Sequence, residues 1–487
     1  MKLELSLLLL CVLLCAGLAS AQREKETGGA NNGKETLLEL LPSLRQQDAI
    51  AREWAREREH TILPALMRLH GVDAWVLSMR EYNEDPAFWP LVSRTTTFAA
   101  RRRTLKAFAF NKTSGNSEDA FVSRTFVDNT PQVWADFNSF LTQFDPSVLT
   151  INIDASGNNF ADGLHAGEHE LLVSQLPWLY WLRLRRVPIL ATQFIATRPD
   201  SMLPYFKKLM RVAHAIIREG FSTDVIIPGV TTTEDLSWFF RDRIQSLNLT
   251  TWFHPSVDIQ RYDKAANTTR TLSGIIEVGD FIWTDFGVTF MGMNTDTQHV
   301  GYVLREHEAD VPLGFKLGLT EHSNVIQDIL LKEINLNRTG NEVLKITLDE
   351  MARRNISGTV YCHPIGDYGH SAGSLIGMTN LQDGVPVLGD LPIFPNMWYS
   401  IELQANVPIP EWGGGIVNFR QEEDVYIDSH GVARWVNGRQ SKIHLIGNVD
   451  RVSGDSIPDL FDDAAFVNFE KKKMDKKVQM EKMIIQD

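Results

Sequence analysis

The sequence predicts an α+β protein in which an α/β N-terminal domain precedes a larger, strand-rich C-terminal domain. Two patterns carry that expectation. From about Leu37 to Thr197 helical and strand periodicities alternate, and after Trp252 period-two strands dominate, interrupted by two helices. The cysteines add a third observation. Of 3 cysteines, Cys11 and Cys15 fall in an N-terminal leader, so Cys362 alone remains and no internal disulfide can form. A chain of this size must then be stabilised by a large apolar core.

The elements follow in order. Lys2 and Glu4 precede the apolar run LSLLLLCVLLCAGLA, and Ala19-Ser20-Ala21 offers small residues for cleavage. Residues 1–21 therefore read as a secretory signal peptide, too short and wrongly flanked for a spanning helix. A retained signal anchor is the alternative; cleavage near Gln22 would give a secreted protein. Residues 22–36 are polar and rich in Gly and Asn, the composition of a disordered leader. The first domain, 37–197, opens with a long charged helix over about 44–70, followed by strands AWVLSM at Ala74, KAFAF at Lys106 and LTINID at Leu149. The second, 198–450, begins helix-rich near Ser201, and Thr231 with Glu234 three residues on reads as a capping box. Strands FIWTDFGV and HVGYVL follow, then helices over about 322–334 and 341–354, then strands at Val360, Trp398, Val417 and Ala433. Asn437-Gly438 marks a tight hairpin. Residues 451–487 form a polar tail whose lysines, Lys471 to Lys477, read as solvated.

Net charge −13 argues against a general nucleic-acid binder. No segment after the leader is apolar enough to cross a membrane. Sequons at Asn111, Asn248, Asn267, Asn337 and Asn355 fit passage through a glycosylating secretory pathway.

Chemistry concentrates in TDFGVTFMGMNTDT. If the turn joining its two strands, within Thr289 to Gly292, centres near Phe290 and Met291, Asp285 and Asp296 face each other across the hairpin, about 5 Å apart at Cβ. Like charges so placed destabilise a sheet unless a cation neutralises them, and a carboxylate among apolar residues is costly. The alternative is one exposed and one turn aspartate. Glu402 in MWYSIELQANV and Glu422 in IVNFRQEEDVYI sit in otherwise apolar strands, and His370 lies among glycines in GDYGHSAGSLIG. Four carboxylates and one imidazole suit a pair of manganese, zinc, cobalt or iron ions.

That ordered set resembles the pita-bread metallohydrolases: methionine aminopeptidase, aminopeptidase P, prolidase and creatinase. Asp285-Phe286-Gly287 is similar to the family's Asp-x-Gly, and Asn294-Thr295-Asp296 to its second aspartate. Gly369-His370 with Gly373 resembles Gly-His-x-x-Gly, Ser400-Ile401-Glu402 resembles Thr-Ile-Glu, and Arg420-Gln421-Glu422-Glu423 resembles Arg-x-Glu-Asp. This register selects Glu422 as the ligand, with Glu423 the alternative. LPALMRLHGVDAWVLSMREYNEDP resembles the start of a creatinase-type N-terminal domain, and phrases such as HPSVDIQR, NTDTQH, CHPIGDYGHSAG and EWGGG resemble a secreted Xaa-Pro aminopeptidase-like subgroup.

The resemblance implies a C-terminal pita-bread domain, a curved antiparallel sheet covered by helices, behind a creatinase-type α/β domain. It implies two divalent ions, manganese first among the candidates. Asp285 would chelate one ion, Asp296 and Glu422 would bridge both, and His370 and Glu402 would complete the other. A hydroxide between the ions would attack the scissile carbonyl, with Glu402 accepting a proton. It further implies an N-terminal Xaa-Pro peptide substrate, no nucleic-acid or membrane partner, and a homodimer.

Two family histidines are missing at their usual places. The stretch before Gly279-Asp280 reads NTTRT, and Gly377 stands seven residues after His370. His363 and His254 are the candidate catalytic replacements, each with a loop histidine as the plain alternative. His299 stands where the family often has arginine and is expected to face away from the ions. Trp252, Trp283, Trp398 and Trp412 are candidate pocket aromatics, and Arg80, Tyr82 and Asp85 candidate N-terminal contributors. Two other readings stay open: a creatinase-like hydrolase of a small amide or amidine, and a non-catalytic pita-bread binding protein.

Overall fold

A computed structural model describes residues 41–111 and 120–447. The expected signal peptide, leader and tail, and part of the Asn111 sequon, lie outside the described residues.

The long N-terminal helix forms as Leu44–Glu57, a π-helical turn Arg58–Ile62, and Leu63–Leu69. Pro64, which has no N–H to give to the His60 carbonyl, accounts for the local unwinding. Beyond it lie β1 (Ala74–Arg80), β2 (Arg103–Phe110), β3 (Phe121–Val127), β4 (Leu149–Ile151) and β5 (Leu184–Arg185), ordered β3-β2-β1-β4-β5. The β2–β1 and β2–β3 pairs are antiparallel, and β4 runs parallel to β1 and β5. Alternation divides the sheet's apolar residues between two faces. Ala74, Val76, Leu105 and Ala107 pack on Trp134, Phe137 and Phe140 of helix Gln132–Phe144. Trp75, Leu77 and Phe108 pack on Leu63, Met67 and Phe194, and that second cluster also takes in Ala372 from the distant C-terminal part of the chain.

A second, ten-stranded sheet follows. Its strands are β6 (Ser256–Asp263), β7 (Thr268–Leu272), β8 (Phe281–Phe286), β11 (Thr297–Val303), β12 (Ser357–Val360), β13 (His363–Ile365), β14 (Trp398–Ile409), β15 (Gly415–Ile427), β16 (Ala433–Trp435) and β17 (His444–Ile446). The short pair β9 (Thr289–Phe290) and β10 (Met293–Asn294) caps the β8–β11 connection. The main path runs β12-β14-β15-β11-β8-β6-β7, with β13 on β14, β16 on β15, and β17 parallel to β11. Helices Asn324–Glu333 and Gly340–Arg353 cover it, joining Ile326, Leu330, Val343 and Leu344 to Phe281, Tyr302, Leu403 and Phe419.

Two local expectations shift. The capping box belongs to Thr232 and Asp235, one residue later than expected: Thr232 Oγ1 accepts from Asp235 N at 3.0 Å, and Asp235 Oδ2 accepts from Thr232 N at 2.8 Å. Thr231 is already used, its hydroxyl accepting from Ile227 N. Asn437-Gly438 is not a hairpin turn, because the strands flanking it, β16 and β17, pair with β15 and β11 rather than with each other.

Candidate metal centre

The second sheet assembles acidic residues by register. Ser256 pairs with Asp285, Asp285 with Gln298, Gln298 with Glu422, and Glu422 with Glu402. These residues form one row across five strands, so their side chains share a face. Asp296 is not directly opposite Asp285 as expected. The turn centres on Met291 and Gly292, both left-handed at φ 52° and 81°, so the register moves by two residues and Gln298 takes that place. Asp296 keeps the same face as a diagonal neighbour, just before β11, close enough for the two carboxyls to bear on each other's protonation.

Around this row the site is dense in charge. Ser400 Oγ donates to Glu422 Oε1 at 2.6 Å, and Gln298 Nε2 donates to both Glu422 Oε2 at 2.8 Å and Glu402 Oε1. Asp296 N donates to Asp424 Oδ2 at 3.2 Å. His363 on β13 pairs with Ser400 on β14, which puts its ring on the side of Glu402. Its Nε2 lies 3.3 Å from Glu422 Oε1 and 3.5 Å from Asp296 Oδ2. Asp296, His363 and Glu422 thus offer ligand atoms within 4.8 Å of one another, all from buried residues.

The electrostatics follow from that crowding. Burial, then the Glu422 charge, lifts Asp285 to about 8. Burial and Glu422 also raise Asp296 and Glu402, and burial raises Asp424. Burial alone would lower His363, but Glu422 and Glu402 outweigh it and carry the imidazole to about 9. Asp285 Oδ1, Asp296 Oδ1, Asp424 Oδ1 and His363 Nε2 are buried without a hydrogen-bond partner. Carboxyls forced toward their neutral form, with oxygens and an imidazole nitrogen orphaned at one spot, are what divalent cations would resolve. The donor set fits the expected ions.

The expected residues do not all converge. Asp285, Asp296, Glu402 and Glu422 do. Like Asp285 and Glu402, His370 stands outside the 4.8 Å group, and unlike them it is exposed: its ring packs edge-on against His363, 4.5 Å between centroids, and against Trp252 at 5.1 Å. His363, not His370, is the buried imidazole grouped with Asp296 and Glu422. The loop joining them is tightly shaped. The Trp252 ring fills the space where a Gly369 side chain would start, 2.2 Å from an added Cβ. Gly366 has φ 152°, with the Arg198 guanidinium in the corresponding space.

His254 is exposed and rests on Trp238, outside the group. Glu423 points to the opposite face, where His299 Nε2 meets its Oε1 at 2.8 Å. Trp283 borders the row, its Nε1 donating to Gln298 Oε1 and its ring lying under Arg420. Trp398 stacks on Phe206 and Trp412 is buried against Phe315. Arg80 is paired with Glu168, Asp85 is buried beside Asn152, and Tyr82 is exposed. Two neighbours went unnoticed in sequence, Gln298 and Asp424. Asp424 was signalled by strand alternation, since it shares the face of Glu422 two residues away.

No family model matches this chain, and no curated protein does. Solved structures do. The X-Pro aminopeptidase from Thermotoga maritima superposes with a TM-score of 0.53 at 14% identity, over 78% of this chain and 99% of that one. Icp55 from Saccharomyces cerevisiae gives 0.51 at 11%, over 81% and 97%. Identities this low speak to architecture alone. With its curled, mostly antiparallel sheet behind an α/β N-terminal region, the chain has the pita-bread fold.

Proposed function

We propose that the protein is a secreted dinuclear metallo-exopeptidase that removes the N-terminal residue from Xaa-Pro peptides, with Asp285, Asp296, His363, Glu402 and Glu422 holding the ions. The observation that carries this reading is the placement on one face of three strand carboxylates, Asp296 just before β11, and His363, with unpartnered buried atoms on Asp285, Asp296 and His363. The X-Pro aminopeptidase of like architecture supports the reaction class. His363 also satisfies the family's His-x-x-Gly through Gly366, and His370 then falls at the seven-residue spacing of its second histidine.

Bound there, two divalent ions, manganese before zinc, cobalt or iron, would supply an activated water and a polarised scissile carbonyl. Glu402, ionised once the cations neutralise its acidic neighbours, would accept the water's proton and pass it to the leaving amine. Gln298 holds Glu402 and Glu422 in place through one amide. His370, exposed beside Trp252, meets the substrate from the rim.

Metal content measured with Xaa-Pro hydrolysis tests the assignment. His363→Ala and Asp296→Asn lose metal and activity together, whereas His370→Ala keeps metal and loses turnover. Retention of metal by His363→Ala, with its loss from His370→Ala, would restore His370 as the ligand. Absence of metal and turnover in the intact protein would sink the enzyme reading. Cleavage near Gln22, a homodimer and a domain boundary near 197 complete the proposal. N-terminal sequencing, light scattering and limited proteolysis check them in turn.

A further inference from the structure

Behind the row of carboxylates, alternation carries the neighbouring residues to the other face of the sheet. There Glu423 of β15 meets His299 of β11 and His214 of helix Leu203–Gly220. Both imidazoles present Nε2 to the one carboxylate, His299 to Oε1 and His214 to Oε2, each at 2.8 Å. The three ligand atoms lie within 4.8 Å of one another. The remaining ring nitrogens are also held: His299 Nδ1 is 3.1 Å from His444 Nε2, and His214 Nδ1 is 3.1 Å from the Asn437 side-chain amide.

We propose that His214, His299 and Glu423 form a further metal site, separate from the front-face centre, that takes one zinc-class divalent ion. Two imidazoles and a carboxylate are donors that zinc accepts and that calcium or magnesium, which demand oxygen, do not. Ligands around a tetrahedral ion at about 2.0–2.1 Å sit roughly 3.3 Å apart, so the rings need part from the carboxylate by only a few tenths of an ångström. His444 and Asn437 stand where outer residues usually orient ligating imidazoles, accepting from Nδ1–H once the Asn437 amide is turned. His214 is half-buried, which leaves a path from solvent. The ion would tie a helix to the strands carrying Glu422 and following Asp296, a structural role apart from the chemistry. Without an ion, Glu423 accepts from His214, His299 and Gln440 N, which is a closed hydrogen-bond set.

The test uses the full chain in the Asp296→Asn background, stripped with chelator and reloaded with zinc alone. One zinc per chain is expected, falling to none when His214→Gln is added, with far-UV circular dichroism unchanged. Equal zinc in the two proteins overturns the proposal. Should His214→Gln fail to fold, cobalt(II) added to the stripped Asp296→Asn chain gives the reading instead. The intense visible bands of a four-coordinate ion support the site, and their absence overturns it. The front-face reading is judged separately, by the ions that intact Asp296 retains.

Discussion

The loop between His363 and His370 is fastened from the N-terminal side, and Asp367→Asn isolates that fastening. Arg58 forks the Asp367 carboxylate through Nη1 at 2.9 Å and Nη2 at 2.8 Å. Arg198 Nη2 lies 3.9 Å away, and Arg94 donates to the Asp367 carbonyl at 3.3 Å. Arg58 is 2% exposed, Arg198 1% and Asp367 8%, so two guanidiniums share one carboxylate away from water. Burial works against the charged form of Asp367, yet Arg58 and then Arg198 hold it below the ordinary carboxylate range. At an effective dielectric of about 20, a unit pair roughly 3.5 Å apart is worth about 5 kcal/mol. Asparagine keeps the shape and one acceptor but strands two buried cations, for which a loss of about 3–5 kcal/mol is expected. Because the folded pKa is depressed, this stabilisation is present above the ordinary carboxylate range and fades only as pH falls below it. Urea unfolding followed by circular dichroism at pH 7 measures the loss, with the slope checked for constancy. A change under about 1 kcal/mol, the worth of an exposed pair, would refute the claim that the clamp is dry and bidentate.

Asp85 predicts the opposite pH dependence. Burial lifts its carboxyl to about 6, so its ionised form costs stability at neutral pH. Wild type should gain up to about 3 kcal/mol on Asp85→Asn as pH falls from 8 to 4; a pH-independent difference refutes this. Cys362, fully buried with its thiol pushed up by burial, should stay unreactive to a thiol reagent until urea unfolds the chain. Labelling in native buffer within minutes would contradict that. Thr339 caps helix Gly340–Arg353, accepting from Glu342 N at 3.3 Å while Glu342 returns the bond. Thr339→Ala should cost about 1 kcal/mol in the same assay, and no loss would mean solvent caps the helix equally well.

The strands around the site were legible because they are written in alternation and apolar runs: the segments carrying Asp285, Glu402 and Glu422 read as sheet interior. The details that slipped depend on geometry that a linear pattern does not hold. The β8–β11 register turned on which two residues adopt left-handed backbone, and Met291 is an unusual choice for it. A preceding glycine singles out His370 in the sequence, whereas the pairing of His363 with Ser400, which no linear pattern shows, brings a second imidazole to Glu422. The back-face cluster was opaque for a different reason. His214, His299, Glu423 and His444 lie on four elements far apart in sequence, and no local period links them.

The parallel pairing of β17 with β11 bears on how the chain is made. Gly301, Tyr302 and Val303 find their partners only at His444, Leu445 and Ile446, the last strand described. During synthesis Asp285 and Asp296 emerge well before Glu402 and Glu422, leaving a half-built acidic hairpin with an open strand edge. Such late, long-range pairings slow folding and expose that edge to wrong partners. A nascent chain of this protein therefore needs protection until β17 docks, and stalled or shortened products that stop before residue 444 should be the ones that aggregate.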